Sequence, residues 1–253
     1  MNLPALELVG VQKSFAGQLI HKGLNLAVEK GKTTIVVGQS GAGKSVMLKY
    51  FIALICPDVG EVRVCGQSLC GLSRKELSEI RSKVSYLFQG VALFDSMTTF
   101  ENVALPLREK TKMSEAEIKA KVMEKLDLVG MTGAIHKYPS ELSGGMQKRV
   151  GLARALQRDP EVVLFDEPTT GLDPETTHMI YDLFADTQKH LGYTALIVSH
   201  DLPKVFRIAD DVAVLNEGKI QRVGLPELGK SSGSVWLDRM MELEAAGIKG
   251  VLF

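Results

Sequence analysis

The chain has 253 residues, and its 30 Lys and Arg residues balance its 30 Asp and Glu residues to a formal net charge of zero. This length suits one sizeable core with a subdomain better than two independent domains. An apolar content of 45% and a charged content of 24% are typical of a globular protein. The balanced charge provides no global basic field, so we expect no nucleic-acid partner and no purely electrostatic attraction to an anionic membrane.

The apolar segments predict no membrane-spanning helix and no signal peptide. The densest of them, residues 50–56, is far too short to cross a bilayer. Residues 1–13 carry acidic charge and lack the long apolar run of a secretory signal. We therefore expect any membrane role to be exerted from outside the lipid.

The cysteines are Cys56, Cys65 and Cys70, an odd number without paired C-x-x-C spacing. This pattern indicates neither a metal site nor a disulfide framework. We expect small buried thiols in a reducing cytosol.

Apolar and β-branched runs predict strands that alternate with helices. The run at residues 33–37 is β-branched and is followed by glycine, as is typical of a buried parallel strand. Strands that alternate with helices indicate a parallel sheet covered on both faces. The predicted strands are residues 6–11, 24–28, 33–37, 61–64, 84–88, 162–165, 195–198 and 212–215, and the helices between them are 44–54 and 178–190.

From residue 90 to about residue 160 the pattern changes to helix. Ser114 and Glu117 have the spacing of a capping box, and apolar residues recur with helical spacing at positions 118, 122, 126 and 129. The predicted fold class is therefore α/β with a helical insert inside the core. A short helix is also predicted at residues 235–245.

A phosphate-binding loop is predicted because one segment matches the pattern G-x-x-x-x-G-K-[ST] in full. Its glycines allow the backbone to turn successive N–H groups inward around an anion, and the next helix points its positive end at the same place. Lys44 is expected to reach the β- and γ-phosphates and Ser45 to ligate Mg²⁺. The predicted phosphate-binding residues are Gly38, Gln39, Ser40, Gly41, Ala42, Gly43, Lys44 and Ser45.

An apolar run at residues 162–165 ends in two acids, Asp166 and Glu167. In an open parallel sheet ligands bind at the carboxyl ends of the strands, and successive side chains point in opposite directions. Asp166 is therefore expected to hold the metal through a water, as a Walker B acid does. Glu167 is expected to orient and polarise the attacking water.

The remaining motifs resemble those of ABC (ATP-binding cassette) ATPases in identity and in order. Residues 142–147, Leu-Ser-Gly-Gly-Met-Gln, are similar to the family signature. The resemblance implies a RecA-like P-loop NTPase core with an antiparallel β region, and ATP and Mg²⁺ as ligands. It also implies that Gln89 is the Q-loop glutamine, which contacts the metal and supports catalysis, that His200 is the catalytic switch histidine, that Asp173 is the D-loop aspartate at the nucleotide, and that Phe15 stacks on adenine.

The signature predicts a second anion site. Ser143 can cap a helix whose first turn contains Gly144 and Gly145, exposing N–H groups to an anion. The resemblance implies that this site faces the γ-phosphate held by Lys44 of another chain. Because the two half-sites of one chain cannot meet, we expect a head-to-tail homodimer that closes on ATP and opens after hydrolysis.

Residues 87–98 resemble the ATPases that serve MCE-type lipid transport, and most closely the Mla (maintenance of lipid asymmetry) phospholipid-transport ATPases. Residues 45–49 and 100–108 are similar too. This resemblance implies a peripheral subunit on the cytoplasmic face of the inner membrane, with MlaE-like permease subunits and an MCE-domain protein as partners. The apolar segment 92–107 also permits simple packing of the helical insert, and an amino acid or ion importer is the alternative system.

The resemblance divides the chain into an ATPase domain at residues 1–227 and an extension at residues 228–253. Within the first, it implies a RecA-like core at 1–89 and 160–227 and a helical subdomain at about 90–159. In the extension, Trp236, Leu237 and residues 251–253 could contact a partner ATPase subunit or pack on the same chain, and both alternatives stay open.

Overall fold

A computed structural model of the protein describes residues 3–225, 231–232 and 234–245. The strands are β1 (Leu6–Phe15), β2 (Gln18–Val28), β3 (Thr33–Val37), β4 (Val59–Val64), β5 (Gln67–Ser68), β6 (Val84–Leu87), β7 (Val162–Asp166), β8 (Thr194–Ser199), β9 (Asp211–Asn216) and β10 (Lys219–Val223). The α-helices are α1 (Lys44–Phe51), α2 (Arg74–Lys83), α3 (Thr99–Lys110), α4 (Glu115–Leu128), α5 (Gly144–Leu156), α6 (Pro174–Leu191) and α7 (Val235–Ala245).

The central strands of the larger sheet are buried on both faces, as is typical of strands that are continuous apolar runs. In the described residues it has six strands in the order β10-β9-β3-β8-β7-β6. All residues of β3, β7 and β8 are buried. Ile35 faces a core shared with α5 and α6, whereas its neighbour Val36 faces a second core shared with α1.

The parallel register brings the carboxyl ends of β3, β7 and β8 to one edge of this sheet. Val37 pairs with Ser199, and Asp166 pairs with Val198. The residues that follow these three strands therefore emerge side by side. Open parallel sheets bind their ligands at this kind of edge.

A second, antiparallel sheet has the order β2-β1-β4-β5 in the described residues and packs over α1. Its first two strands extend to Phe15 and Gln18, which pair across a tight hairpin. The strands predicted from the sequence stop short of this hairpin because residues 12–18 are mostly polar and lack apolar alternation. The α/β class with an antiparallel β region is confirmed.

Three elements have no counterpart in the sequence prediction, namely α2, β5 and β10. Ile80 is the buried residue of α2, so the helix lacks the apolar period on which such a prediction depends. A capping box between Ser73 and Glu76 nevertheless encodes its start. β10 pairs antiparallel with β9 at the sheet edge, and its largely exposed residues carry little apolar signal.

The helix that follows the phosphate loop ends at Phe51, three residues earlier than the sequence predicts. Ala53 has a φ of 50°, in the left-handed region that an α-helix cannot continue through. The backbone N–H groups of Leu54 and Ile55 both donate to Lys49 O, at 3.0 and 3.4 Å, which turns the chain back.

Helices α3, α4 and α5 lie within the segment expected to be helical and share one apolar core. The capping box predicted at the start of α4 is confirmed. Ser114 Oγ accepts from Glu117 N at 3.4 Å, and Glu117 Oε2 accepts from Ser114 N at 2.7 Å. The buried residues of this region include Val103, Leu107, Val122, Leu126, Leu152 and Leu156.

The expectation of buried thiols is wrong. Cys56 and Cys70 are exposed and Cys65 is half-buried, and all three are free. Cys56 and Cys70 lie in turns outside β4 and β5, where the chain leaves the core. Burial raises the pKa of the Cys65 thiol, whose Sγ lies 3.7 Å from Glu161 Oε2.

The helix near the chain end has the predicted bounds and packs on its own chain. Leu237 is fully buried in the core that contains α5 and α6, and Trp236 packs against the same core. Residues 251–253 lie outside the described part, so their contact stays a prediction. Within the described ranges, no helix combines the length and apolarity needed to cross a membrane.

Truncation of Phe184 tests the packing of α6 against β7 of the larger sheet. Its ring is 2% exposed and lies 4.6 Å from the ring of Phe165. We expect Phe184→Ala to lower the free energy of unfolding by about 3–5 kcal/mol, because the cavity cannot collapse fully. Met179→Ala on the same helix, at a residue 47% exposed, should change it by less than about 0.5 kcal/mol. Equal losses in urea unfolding would contradict the assignment of the buried face.

Candidate nucleotide-binding site

The phosphate loop joins β3 to α1 and contains two left-handed glycines, Gly41 with a φ of 79° and Gly43 with a φ of 96°. Gly43 is the N-cap of α1, and no side chain caps this helix start. Its free N–H groups and helix dipole therefore favour an anion. Gly38 is required for a different reason, because a Cβ there would lie 2.2 Å from Leu215 O.

A cavity of about 330 Å³ opens beside this loop and is lined by all three predicted catalytic residues, Gln89, Glu167 and His200. Such concave sites with convergent polar groups are typical of ligand pockets. The lining residues are Ser40, Gly41, Gly43, Lys44, Ser45, Val46, Gln89, Glu167 and His200.

Lys44 is 5% exposed and is held inside the loop by three oxygens. Its Nζ donates to Gly38 O at 2.8 Å and to Gln39 O at 3.1 Å, and it lies 3.3 Å from Glu167 Oε1. The carbonyl of Gln39 accepts from Lys44, and Gln39, unlike a proline, has a backbone N–H that can donate to an anion. Phosphate oxygens would replace these partners, since charge-assisted bonds to phosphate are strong.

Ser45 and Asp166, which the sequence predicts to hold the metal, lie within hydrogen-bond distance of each other. Ser45 Oγ donates to Asp166 Oδ1 at 2.7 Å, and the Tyr86 hydroxyl donates to Asp166 Oδ2 at 2.7 Å. These hard oxygen donors fit Mg²⁺, which takes few protein ligands and completes its shell with phosphate oxygens and water. Tyr86 is a site residue that the sequence prediction missed.

Glu167 and His200 form a hydrogen-bonded pair, and Glu167 also contacts Lys44. Burial alone would raise the pKa of Glu167, but the bond to His200 and the charges of His200 and Lys44 hold this pKa below its ordinary value. The same bond raises the pKa of His200. Glu167 has a φ of 48°, a strained backbone of the kind that clusters at functional sites.

Side chains of α5 form hydrogen bonds to the backbone of the segment that begins at Gln89. Lys148 Nζ donates to Gln89 O, and Arg154 donates to Val91 O at 2.5 Å and Ala92 O at 2.9 Å. Val91 and Ala92 have φ values of 60° and 51°, which strain non-glycine residues. Burial lowers the pKa of both Lys148 and Arg154. The position of Gln89 is thus tied to the helix that begins after Ser143.

The signature residues lie apart from this cavity. Ser143 is the N-cap of α5, as predicted, and its Oγ accepts from Met146 N at 3.3 Å. A Cβ on Gly144 would lie 3.1 Å from Leu172 Cδ2, and one on Gly145 would lie 2.6 Å from Thr176 Cγ2. The glycines therefore let the signature pack against the start of α6, and the described lining of the Lys44 cavity includes none of residues 143–145.

Asp173 and Phe15 lie outside the described cavity lining as well. Asp173 caps α6 by accepting from Glu175 N at 3.1 Å and Thr176 N at 2.9 Å, next to the signature. Phe15 lies at the tip of the β1–β2 hairpin, 42% exposed, with Lys13 Nζ 5.3 Å from its ring centre. An exposed ring of this kind is free to stack on a base, and the role stays a prediction.

Relatives of this chain are ATP-binding proteins of transporters. The sequence profile of the family described as ABC transporter matches residues 21–170. The intermembrane phospholipid transport system ATP-binding protein MlaF of Haemophilus influenzae is 41% identical over 227 residues, which are 90% of this chain and 86% of that protein. The probable ribonucleotide transport ATP-binding protein mkl of Mycobacterium leprae is 44% identical over 211 residues, which are 83% of this chain and 61% of that protein.

The fold is similar to that of a solved nucleotide-bound dimer. The post-hydrolysis state of the ATP-binding cassette MJ0796, bound to ADP and Pi, superposes with a TM-score of 0.78 at 31% identity. The match covers 88% of this chain and all of that one, 100%.

Lys44→Ala tests the cavity as a phosphate site. Loss of the ammonium should weaken ATP binding by about 10- to 100-fold, the equivalent of about 1.5–3 kcal/mol for hydrogen bonds to charged groups. Lys49→Ala, on the same helix but outside the described cavity lining, should bind ATP as the wild type does. Calorimetric titration measures both, and an unchanged affinity in Lys44→Ala would contradict the site.

Proposed function

This chain belongs to the ABC transporter family, as its motifs indicate, and we propose that it is the ATP-hydrolysing subunit of an Mla-type phospholipid transporter. The family and the cassette fold make it an ATPase whose hydrolysis is coupled to transport. The observation that carries the hydrolytic site is the convergence of Lys44, Asp166 and Glu167 at one sheet edge.

In the proposed reaction, each residue of the cavity has a separate task. The N–H groups of the phosphate loop and Lys44 bind the β- and γ-phosphates. Glu167, kept ionised by His200 and Lys44, orients the attacking water as a general base. Ser45 and Asp166 would hold Mg²⁺, with Gln89 at the cavity wall, and the ion would neutralise charge on the phosphates.

The signature completes the site from a second copy. Ser143 and Asp173 are exposed and lie together on a surface outside the Lys44 cavity. A helix N-terminus there supplies N–H groups for the γ-phosphate of a partner's nucleotide. The similar MJ0796 cassette is a dimer bound to ADP and Pi, which supports this arrangement. We propose a head-to-tail homodimer with two such sites, related by a twofold axis.

A groove between the core and the helical region is the proposed permease contact. It encloses about 480 Å³ and is lined in part by Phe88, Phe94, Leu105 and Pro106. Phe88 is 41% and Phe94 51% exposed, an apolar surface suited to a helix from an integral subunit. Arg154 lines the same groove and binds the segment after Gln89, so docking there would bear directly on the cavity.

The resemblance of residues 87–98 to Mla-type ATPases and the similarity to MlaF support phospholipid as the cargo. The partners we propose are MlaE-like permease subunits and an MCE-domain protein, with this chain peripheral on the cytoplasmic face of the inner membrane. A second candidate is ribonucleotide transport, favoured by the name of the 44% identical mkl protein. This chain covers only 61% of mkl, whereas it covers 86% of MlaF, so the lipid system is the better match.

Glu167→Gln separates binding from hydrolysis. The substitution retains the phosphate contacts but removes the carboxylate that orients water, so we expect ATP to be bound and turnover to fall by about 10²–10⁴-fold. The variant should accumulate as a closed dimer with ATP, measured by light scattering. Turnover at the wild-type rate would show that Glu167 is not the base.

The cargo is tested in cells that lack this chain. We expect their phospholipid distribution between the membranes to change, and wild-type protein but not Glu167→Gln to restore it. Normal lipid distribution with defective uptake of a nucleotide, amino acid or ion would overturn the lipid proposal. Affinity purification gives a second measurement, because an MCE-domain subunit supports lipid transport and a periplasmic binding protein contradicts it.

A further inference from the structure

A fully buried histidine lies directly beneath the phosphate loop. His21 belongs to β2 and is 0% exposed. Its Nδ1 lies 2.6 Å from the hydroxyl of Tyr50, on the helix that the loop begins, and the two rings meet edge-on with centroids 5.5 Å apart. Among the residues that the structure describes, its buried Nε2 makes no hydrogen bond of full geometry, although it lies against the backbone of Gly43. Buried polar atoms are nearly always paired, so this one requires an explanation.

The Nε2 atom faces Gly43. A Cβ placed on Gly43 would lie 2.4 Å from His21 Nε2 and 2.9 Å from Ile20 Cγ2, so β2 forms the floor of the loop just before Lys44. The backbone carbonyl of Gly43 accepts from Met47 N at 2.9 Å and has a second lone pair. This carbonyl can therefore accept a hydrogen bond from an N–H group on β2.

A neutral His21 ring that accepts from Tyr50 at Nδ1 has Nε2 as its donor. Burial lowers the pKa of His21 to about 4, although the backbone of Gly43 acts in the opposite direction, so the ring is neutral near pH 7. Burial raises the pKa of Tyr50, which keeps its hydroxyl hydrogen. A phenol that donates to Nδ1 places the single ring hydrogen on Nε2, beneath Gly43.

We propose that His21 is a positioning residue for ATP, which holds Gly43 through its Nε2–H when phosphate occupies the loop. The loop N–H groups must point inward to bind phosphate oxygens. If His21 already fixes the peptide at Gly43, less conformational entropy is lost when ATP binds. β2 also begins at the hairpin that carries Phe15. Through β2, His21 therefore connects the phosphate loop with the hairpin that carries the proposed adenine-stacking residue.

Two matched double variants isolate the Nε2–H group. His21→Phe with Tyr50→Phe replaces both members of the buried pair by apolar rings, which is nearly neutral for stability. His21→Gln with Tyr50→Phe restores an N–H donor at about the same reach. We expect the first to bind ATP without magnesium about 3- to 10-fold more weakly than the wild type, the worth of one hydrogen bond. The second should stay within about twofold of the wild type.

Thermal unfolding without nucleotide distinguishes positioning from a structural role. We expect the melting temperature of the Phe/Phe variant to be no lower than that of the Gln/Phe variant. Its weaker ATP binding would then not be due to lower stability. Equal ATP affinities in the wild type and both variants would overturn the proposal. Failure of the wild type itself to bind ATP would instead overturn the phosphate loop assignment.

Nuclear magnetic resonance of wild-type protein with ¹⁵N-labelled histidine tests the same point without substitution. The chain has five histidines, so the signals are few. We expect the His21 Nε2 to carry a hydrogen whose exchange with water slows on addition of ATP. An Nε2 without hydrogen, or an exchange rate that ATP leaves unchanged, would contradict the proposal.

Discussion

The structure depends on the burial of three parallel strands, β3, β7 and β8, on both faces of one sheet. Their shared register fixes where each chain segment leaves the core, and the polar residues begin where the apolar runs end. Lys44, Asp166 and His200 belong to three segments far apart in sequence, yet they meet at one edge. Loops that follow rigid strands hold catalytic groups more accurately than loops on flexible supports.

The charged side chains of Lys44, Glu167 and His200 interact directly with one another at this edge. Lys44 lies between two loop carbonyls and Glu167, which in turn pairs with His200. A triphosphate would draw Lys44 toward itself and leave Glu167 with His200. The strained backbone at Glu167 is consistent with a carboxylate held in place by its surroundings rather than by its own conformational preference.

Local patterns were readable from the sequence, and contacts between distant segments were not. The phosphate loop and the acids after residue 165 follow directly from an apolar run and glycine spacing. Tyr86 bonds to Asp166 across 80 residues and Lys148 to Gln89 across 59, so no local pattern marks either one. The helix α2 was missed because its apolar period is absent, although its capping box was present.

The prediction for the cysteines was wrong because it relied on residue type alone. Cysteine is usually buried, but Cys56 and Cys70 are exposed here. The sequence left two alternatives for Trp236 and Leu237, and in the structure both pack on the core of their own chain. Assignment of roles to Phe15 and Asp173 still depends on the family resemblance.

Helix α5 contacts both the groove, through Arg154, and Gln89 at the cavity wall, through Lys148. Its first residues form the signature, and its Arg154 holds the segment that lines the groove. Gly151 allows this close approach, because a Cβ there would lie 2.0 Å from Val91 Cγ1. That segment therefore connects Gln89, at the cavity wall, with the helix that carries the signature.

Mixing two inactive variants measures the shared site most directly. Lys44→Ala retains its signature and Ser143→Arg retains its phosphate loop, so a dimer of one copy each contains one complete site. We expect each variant alone to lack ATP turnover and the mixture to regain it. A mixture that stays inactive, although both variants fold and associate, would contradict the proposal that one nucleotide is held by two chains.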